Sequence, residues 1–216
     1  MEKMDYKKAY KDLYLPKTKP ALIQVPPMIF IQVQGSGNPN TSPLYKEAME
    51  ILYGLSYSIK MSKMDGSQPE GYFEYVVPPL EGLWWMKDGG TVDYHNKEDF
   101  CWISMIRQPE FVNAAVFEAA KEKLLKKKPG LNMDNTRLVE WTEGLCAQVM
   151  HLGPYDDEPQ TLKRLNAFIE TSGYVPDFSD MRRHHEIYLG DPRKTAPERL
   201  KTVLRLPVKA AGEFDL

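Results

Sequence analysis

Glu186 stands in the middle of the stretch His184-His185-Glu186-Ile187-Tyr188-Leu189, closed by Gly190-Asp191-Pro192. Alternation along an extended chain puts His184, Glu186 and Tyr188 on one face and His185, Ile187 and Leu189 on the other. An imidazole, a carboxylate and a phenol spaced two apart can share protons. Burial in an aromatic groove would raise the pKa of Glu186 toward neutrality. Three readings of this carboxylate follow: a general base that deprotonates water, a counter-charge for a cationic ligand, or a solvated or salt-bridged strand residue. Tyr188 could support an oxygen that gains charge in such a reaction. His184 either shares a proton with Glu186 or fills a surface position, His185 is a core-side histidine, and His151 closes its own strand.

Other chemistries lack their residues. No further ligand stands at metal-binding spacing beside the His/Glu pair, so no metal site is expected. Cys101 and Cys146 lie far apart without a CxxC pattern and read as small core thiols of a reducing, cytoplasmic compartment. Without a Gly-x-Gly-x-x-Gly, phosphate-loop or Gly-x-Ser-x-Gly pattern, neither a nucleotide cofactor nor serine hydrolysis is expected, and no cofactor is assigned. A formal net charge of -2 gives no general pull toward nucleic acid, and no stretch is apolar enough to span a membrane. The expected partner is a bulky aromatic or cationic small molecule, because 4 Trp, 12 Tyr, 8 Phe and 11 Met supply flat and soft surfaces.

The elements that must position these residues alternate. Residues 1–27, Lys-rich with four prolines, read as a lead-in that orders only on the body. Met28–Gln34 is a strand with Ile29, Ile31 and Val33 on one face and Phe30 and Gln32 on the other. A helix follows, capped by Thr41 or Ser42 with Pro43 in its first turn, and its apolar set (Leu44, Ala48, Ile51, Leu52, Leu55, Ile59) has helical spacing. Strands are expected at Tyr72–Val77 and Phe100–Ile106, with a polar hairpin region after Leu80–Trp85. Glu81 turns into the groove or sits in a turn. A linker helix occupies 109–128. Arg137–Trp141 and Leu145–His151 are strands, Asp156-Asp157-Glu158-Pro159 is an acidic helix start, and His184–Leu189 and Thr202–Val208 are the last strands.

The order strand, helix, strand, strand thus occurs twice, with Ile31-Gln32-Val33 and Ala147-Gln148-Val149 in matching places. The expected fold is α+β: two pseudo-symmetric repeats, 28–106 and 137–208, form an antiparallel sheet with helices on one face and a central ligand groove on the other. Residues 209–216 are a C-terminal tail. Phe30, Gln32, Gln148, Met150, Glu186 and Tyr188 should point into the groove, with Trp84, Trp85, Trp102, Tyr155 and His184 completing its lining.

The duplicated module, Leu152-Gly153-Pro154-Tyr155, the His184–Leu189 stretch with Asp191-Pro192, and Pro79-Leu80-Glu81-Gly82-Leu83-Trp84-Trp85 together resemble the GyrI-like small-molecule-binding family over residues 28–208. The resemblance implies one domain with a pseudo-two-fold groove around a buried glutamate, here Glu186. It looks like the stand-alone branch, without the helix-turn-helix of the family's transcription regulators. That branch includes cyclopropanoid hydrolases, so the resemblance implies cofactor-independent addition of water to a strained, electrophilic cyclopropane, with Glu186 and Tyr188 as catalytic residues and detoxification as the outcome. It implies two alternatives as well: a non-catalytic sensor or drug-sequestering module, and a gyrase-inhibitor-like interaction protein.

Overall fold

The computed structural model describes residues 3–90 and 92–212. It comprises a mixed α and β architecture built on an antiparallel sheet, with five α-helices among the described residues. Two short helices, α1 (Tyr6–Ala9) and α2 (Lys11–Tyr14), precede β1 (Ala21–Ser36) and α3 (Pro43–Lys60). Then come β2 (Leu80–Met86), β3 (Phe100–Arg107), α4 (Ala114–Lys127) and β4 (Thr136–Leu152). The chain ends with α5 (Glu158–Thr171), β5 (Tyr174–Pro176), β6 (His184–Tyr188) and β7 (Lys201–Ala210).

Strands β4, β1, β3, β2, β6 and β7 pair in that order, and β4 pairs again with β7, closing the sheet into a barrel; β5 adds to the end of β7. Within the ring, β1 pairs with β3 and β3 with β2, while β4 pairs with β7 and β7 with β6. Closure removes the unpaired edges that an open sheet would expose. It also sends one face of every strand inward, away from α3, α4 and α5.

The outer face carries the helices. Ser42 caps α3 by accepting from the Tyr45 amide, with Pro43 at the first turn, and Ile51, Leu52 and Leu55 pack with Ile31 and Val33 of β1. Leu165 and Ile169 of α5 cover Ala147, Val149, Leu204 and Leu206. Each such aliphatic side chain contributes about 1.5–3 kcal/mol by leaving water.

The interior holds Met28, Phe30, Leu83, Met105, Trp141, Cys146, Met150, Ile187 and Val203, and the N-terminal segment adds Tyr6, Leu13 and Tyr14. Through it runs a charged network. His185 Nδ1 lies 3.0 Å from Glu143 Oε1 and its Nε2 3.0 Å from Glu81 Oε2. Arg205 donates to Glu143 at 2.9 Å, to Gln148 at 3.1 Å and to the Leu13 carbonyl at 2.8 Å, and Tyr14 donates to Glu81 at 3.2 Å. Two carboxylates face an imidazole and a guanidinium, so the charges balance and each has hydrogen-bond partners. Burial pushes the Glu143 carboxyl up, but His185 and Arg205 outweigh it and hold the group down at about 2.

Several elements differ from the sequence expectations. β1 begins at Ala21, inside the expected lead-in. β3 pairs with β1 only from Phe30 onward, so only β4 flanks Pro26 and Pro27; consecutive strand residues aim their amides to opposite sides, and one of the two missing amides falls on the side without a partner. Tyr72–Val77 is not a strand apart from a bridge between Met4 and Tyr75; its rings pack on Phe111, and Leu80–Met86 takes the place in the sheet. Arg137–Trp141 and Leu145–His151 belong to one strand, β4. At Gly144, where φ is +77, the inward side passes from Trp141 and Glu143 to Cys146, Gln148 and Met150. β7 extends to Ala210, into the expected tail, of which 213–216 lie outside the described residues.

Candidate functional site

Glu186 sits mid-strand on the outer face of β6, directly across from Gly82 of β2 and Leu204 of β7, and is 6% exposed. Its Oε1 lies 2.9 Å from His184 Nε2, which donates to it, and 3.4 Å from the Tyr94 hydroxyl. Its Oε2 accepts from the Tyr188 hydroxyl at 2.7 Å, and that hydroxyl accepts from Trp84 Nε1 at 2.9 Å. The strand alternation therefore produces a directional chain from indole to phenol to carboxylate. Gly82 makes room for it: a Cβ there would fall 2.6 Å from Trp84 Nε1 and 3.3 Å from the Tyr188 hydroxyl.

A second carboxyl faces the first. Glu158, the first residue of α5, is fully buried, and its Oε2 lies 3.0 Å from the same Tyr94 hydroxyl. Its Oε1 has no hydrogen-bond partner. The two acids are pushed apart. Burial and the neighbouring charge of Glu186 raise Glu158 well above the usual carboxylate range. Burial acts on Glu186 in the same sense, but bonds from His184, Tyr188 and Tyr94 outweigh it and hold Glu186 below that range. The expectation that burial would raise Glu186 is thus corrected; the raised group is Glu158. Burial likewise pushes the phenols up, Tyr155 to about 12, so they stand as neutral donors.

Both acids line an open cavity of ≈ 1220 Å³. Its walls are Tyr45, Met49, Tyr53 and Tyr57 of α3, Leu80 and Trp84 of β2, Tyr94 and Phe100, and Tyr155 with Tyr188. The rings are mutually braced: Trp84 meets Phe100 edge-on at 5.7 Å between centroids, and Tyr155 meets Tyr188 at 5.7 Å. Lys46, Lys97, Lys128, Arg193 and Lys194 stand among the lining residues, so the cavity has two buried acids and several cations. Aromatic walls over two buried acids suit a flat organic ligand, and the volume, above the ~300–1,000 Å³ of an ordinary pocket, leaves room for a bulky one.

The structure brings Glu186, Tyr188, Trp84 and Tyr155 to this cavity, with His184 behind Glu186 as its donor. It does not bring the others. Phe30, Gln32, Gln148 and Met150 face the barrel interior: Phe30 packs edge-on against Trp141, Gln32 reaches Met105, and Gln148 bonds Arg205 and the Asp12 carbonyl. The physical reason is closure. In an open sheet the face away from the helices could form a groove, whereas in a barrel it becomes the core, and the cavity opens on the helix side. Trp85 also leaves the groove and lies under Arg183 at 5.0 Å. Trp102 is buried behind the wall, edge-on to Tyr45 at 5.0 Å between centroids. Glu81 resolves as an inner-face residue on His185.

Sequence reasoning missed Glu158, Tyr94 and the α3 wall. Tyr45, Met49, Tyr53 and Tyr57 recur every four residues, offset from the apolar stripe through Ala48, Leu52 and Leu55, and that second stripe was the available signal. Glu158 carried none, since an acid at a helix start is ordinary. Among the described residues no group of three or more His, Cys, Asp or Glu could hold a metal ion, and no helix is long and apolar enough to cross a membrane.

The chain is similar to the crystal structure of an uncharacterized conserved protein from Listeria innocua, with 46% identity and a TM-score of 0.90 over 96% of this chain and 100% of that one. It is similar to a hydrolase from Listeria innocua at 44% identity and a TM-score of 0.87, covering 96% and 100% of the two chains. The C-terminal domain of EcmrR shares the fold at 14% identity, with a TM-score of 0.53 over 89% and 98%. No curated protein matches the chain. The model of the GyrI-like small molecule binding domain matches residues 18–209, and the chain belongs to the GyrI-like family.

Proposed function

We propose that the cavity binds a flat aromatic small molecule between two strand-helix-strand-strand units, β1–α3–β2–β3 and β4–α5–β6–β7, and hydrolyses a strained cyclopropane on it. The supporting observation is an oriented carboxylate inside an aromatic cavity: donors on both Glu186 oxygens fix its position and favour the ionised form, and its remaining lone pairs are left to accept a proton from water. The similarity to a Listeria innocua hydrolase fits the same reading.

In this reaction Glu186 takes a proton from water as the water oxygen bonds to the ring carbon. The ring C–C bond breaks, its electron pair passes into a conjugated carbonyl, that oxygen takes a proton from solvent, and Glu186 returns to solvent the proton it took from water. Tyr188 acts differently from the sequence expectation. Its proton is committed to Glu186 and its oxygen to Trp84, so it positions the base, and the developing oxyanion falls to another groove phenol such as Tyr155.

The test is incubation of purified protein with a cyclopropane-bearing alkylator, following water incorporation by mass spectrometry. Glu186→Gln should keep affinity and lower turnover by about two to four orders of magnitude. Intact compound recovered from both proteins would sink the hydrolase. A second reading, a counter-charge for cations, is favoured by the two acids among aromatic walls. It expects Glu186→Gln to weaken a cationic ligand and spare a neutral one. Detoxification, drug sequestration and a cytoplasmic setting belong with these proposals.

A further inference from the structure

We propose that Glu158 and Glu186 hold one proton between them, linked through the hydroxyl of Tyr94, and that a cationic aromatic ligand displaces this proton whereas a neutral one leaves it in place. The displacement rests on the reading of the cavity as a small-molecule site; the shared proton does not.

The geometry is asymmetric. The Tyr94 hydroxyl has one hydrogen, yet it lies 3.0 Å from Glu158 Oε2 and 3.4 Å from Glu186 Oε1. With both acids ionised, one of these contacts would set oxygen against oxygen with no hydrogen between. A proton on Glu158 completes a chain in which Glu158 donates to the Tyr94 oxygen and Tyr94 donates to Glu186. Glu186 already accepts from His184 and Tyr188, so it is the acid equipped to carry charge. Glu158 is buried with only the Tyr94 and Thr202 hydroxyls near its oxygens and no cation hydrogen-bonded to it, so a charge there would be poorly compensated. Raised Glu158 and lowered Glu186 agree with this assignment.

Among the described residues no lysine or arginine hydrogen-bonds either acid. His184 and Tyr188 face it from β6, Thr202 from β7, Tyr45 from α3, Tyr155 from the turn before α5, and Tyr94 from the β2–β3 connection. On the rim, Lys97 lies 3.0 Å from Asp156, Arg193 lies 2.9 Å from Asp191 and Lys128 pairs with Glu50, while Lys46 and Lys194 line the cavity without an ion pair to either acid. A permanent monocation on the cavity floor would provide what Glu158 lacks, and the proton would pass to solvent as the cation enters. Net charge at the floor is then the same with a neutral ligand plus proton as with a cation alone. One groove can thereby accept both kinds of aromatic ligand.

The experiment uses N-methylacridinium, a flat monocation, and its neutral counterpart N-methylacridone. Titration calorimetry in buffers of different ionisation enthalpy counts the protons released. The unmodified protein should release about one proton per acridinium near neutral pH and none with the acridone, with acridinium affinity rising about tenfold per pH unit over the range where release is complete. Glu158→Gln, nearly isosteric, should abolish both the release and the pH dependence while still binding acridinium.

No release from the unmodified protein, or equal release from Glu158→Gln, would overturn the displacement. Failure of both probes to bind would overturn the cavity as an aromatic-ligand site. The shared proton is read without ligand, from a protonated-carboxyl band in the infrared spectrum at neutral pH. Glu158→Gln should remove that band and Tyr94→Phe should shift it. A spectrum without the band, or a band indifferent to Glu158→Gln, would overturn the shared proton itself.

Discussion

The two faces of β6 carry nearly the same groups to opposite ends. Inward, His185 is clasped by Glu143 and Glu81, and Arg205, Gln148 and Tyr14 complete the set, so positive and negative charges cancel with both imidazole nitrogens bonded. Outward, one residue either way, His184 holds Glu186 while a second acid, Glu158, lies alongside with an unpartnered oxygen. The inner network is complete without a ligand; the outer one is not. Acid and imidazole content therefore says little about function. The number of donors, and whether a cavity reaches them, separates a structural cluster from a candidate site.

This contrast can be broken most forcefully from inside. Glu143→Gln leaves His185 and Arg205 with one carboxylate between them, and should cost about 3–5 kcal/mol in urea denaturation, the usual penalty for breaking a buried ion pair. Aromatic-ligand affinity of the molecules that remain folded should be unchanged. A parallel loss of affinity would mean the two faces act as one unit.

A smaller effect is expected at the floor of the cavity. Gly82→Ala puts a methyl against Trp84 and Tyr188, and should cost about 1–3 kcal/mol of stability, the range for overpacking, and weaken ligand binding by displacing that pair. Tryptophan quenching would measure it. Unchanged affinity would show that the Trp84–Tyr188–Glu186 chain has slack.

The finest distinction lies in pH dependence, where the two faces have opposite signs. Glu143 is held at about 2 in the folded protein against an ordinary 4.5, so its contribution to stability is present above 4.5 and is lost as pH falls toward 2. Glu158 is raised by burial, so its folded form keeps a proton that the unfolded chain gives up; its contribution is present below the ordinary carboxylate value and declines as pH rises. Denaturation across a pH series should show Glu143→Gln flattening the slope below the ordinary carboxylate value and Glu158→Gln the slope above it. The reverse pattern would refute the assignment of charge to the two faces.

How far the site was legible follows the range of the interactions involved. Alternation along His184–Tyr188 is local, and it separated Glu186 and Tyr188 from His185 correctly. The Ser42 cap, Pro43 and the apolar stripe of α3 are local too. Pro26 and Pro27 misled because a proline excludes an amide bond only where a neighbouring strand needs one, and the missing neighbour cannot be seen from the chain. Tyr72–Val77 has strand composition, yet Leu80–Met86 pairs with both β3 and β6 and occupies that place.

By itself, then, the sequence determined the family resemblance, helix α3 with its cap and apolar stripe, and the face of β6 on which Glu186 lies. Only the tertiary structure decided that the sheet closes. Pairing of β4 with β7 and of β2 with β6 joins residues far apart in the chain, and these contacts turn Phe30, Gln32, Gln148 and Met150 from an expected groove into the core. The same closure carries Tyr94 and Glu158, 64 residues apart, to one hydroxyl hydrogen bond. Local periodicity determines which way a side chain points; which surface lies there depends on pairings that no local pattern encodes.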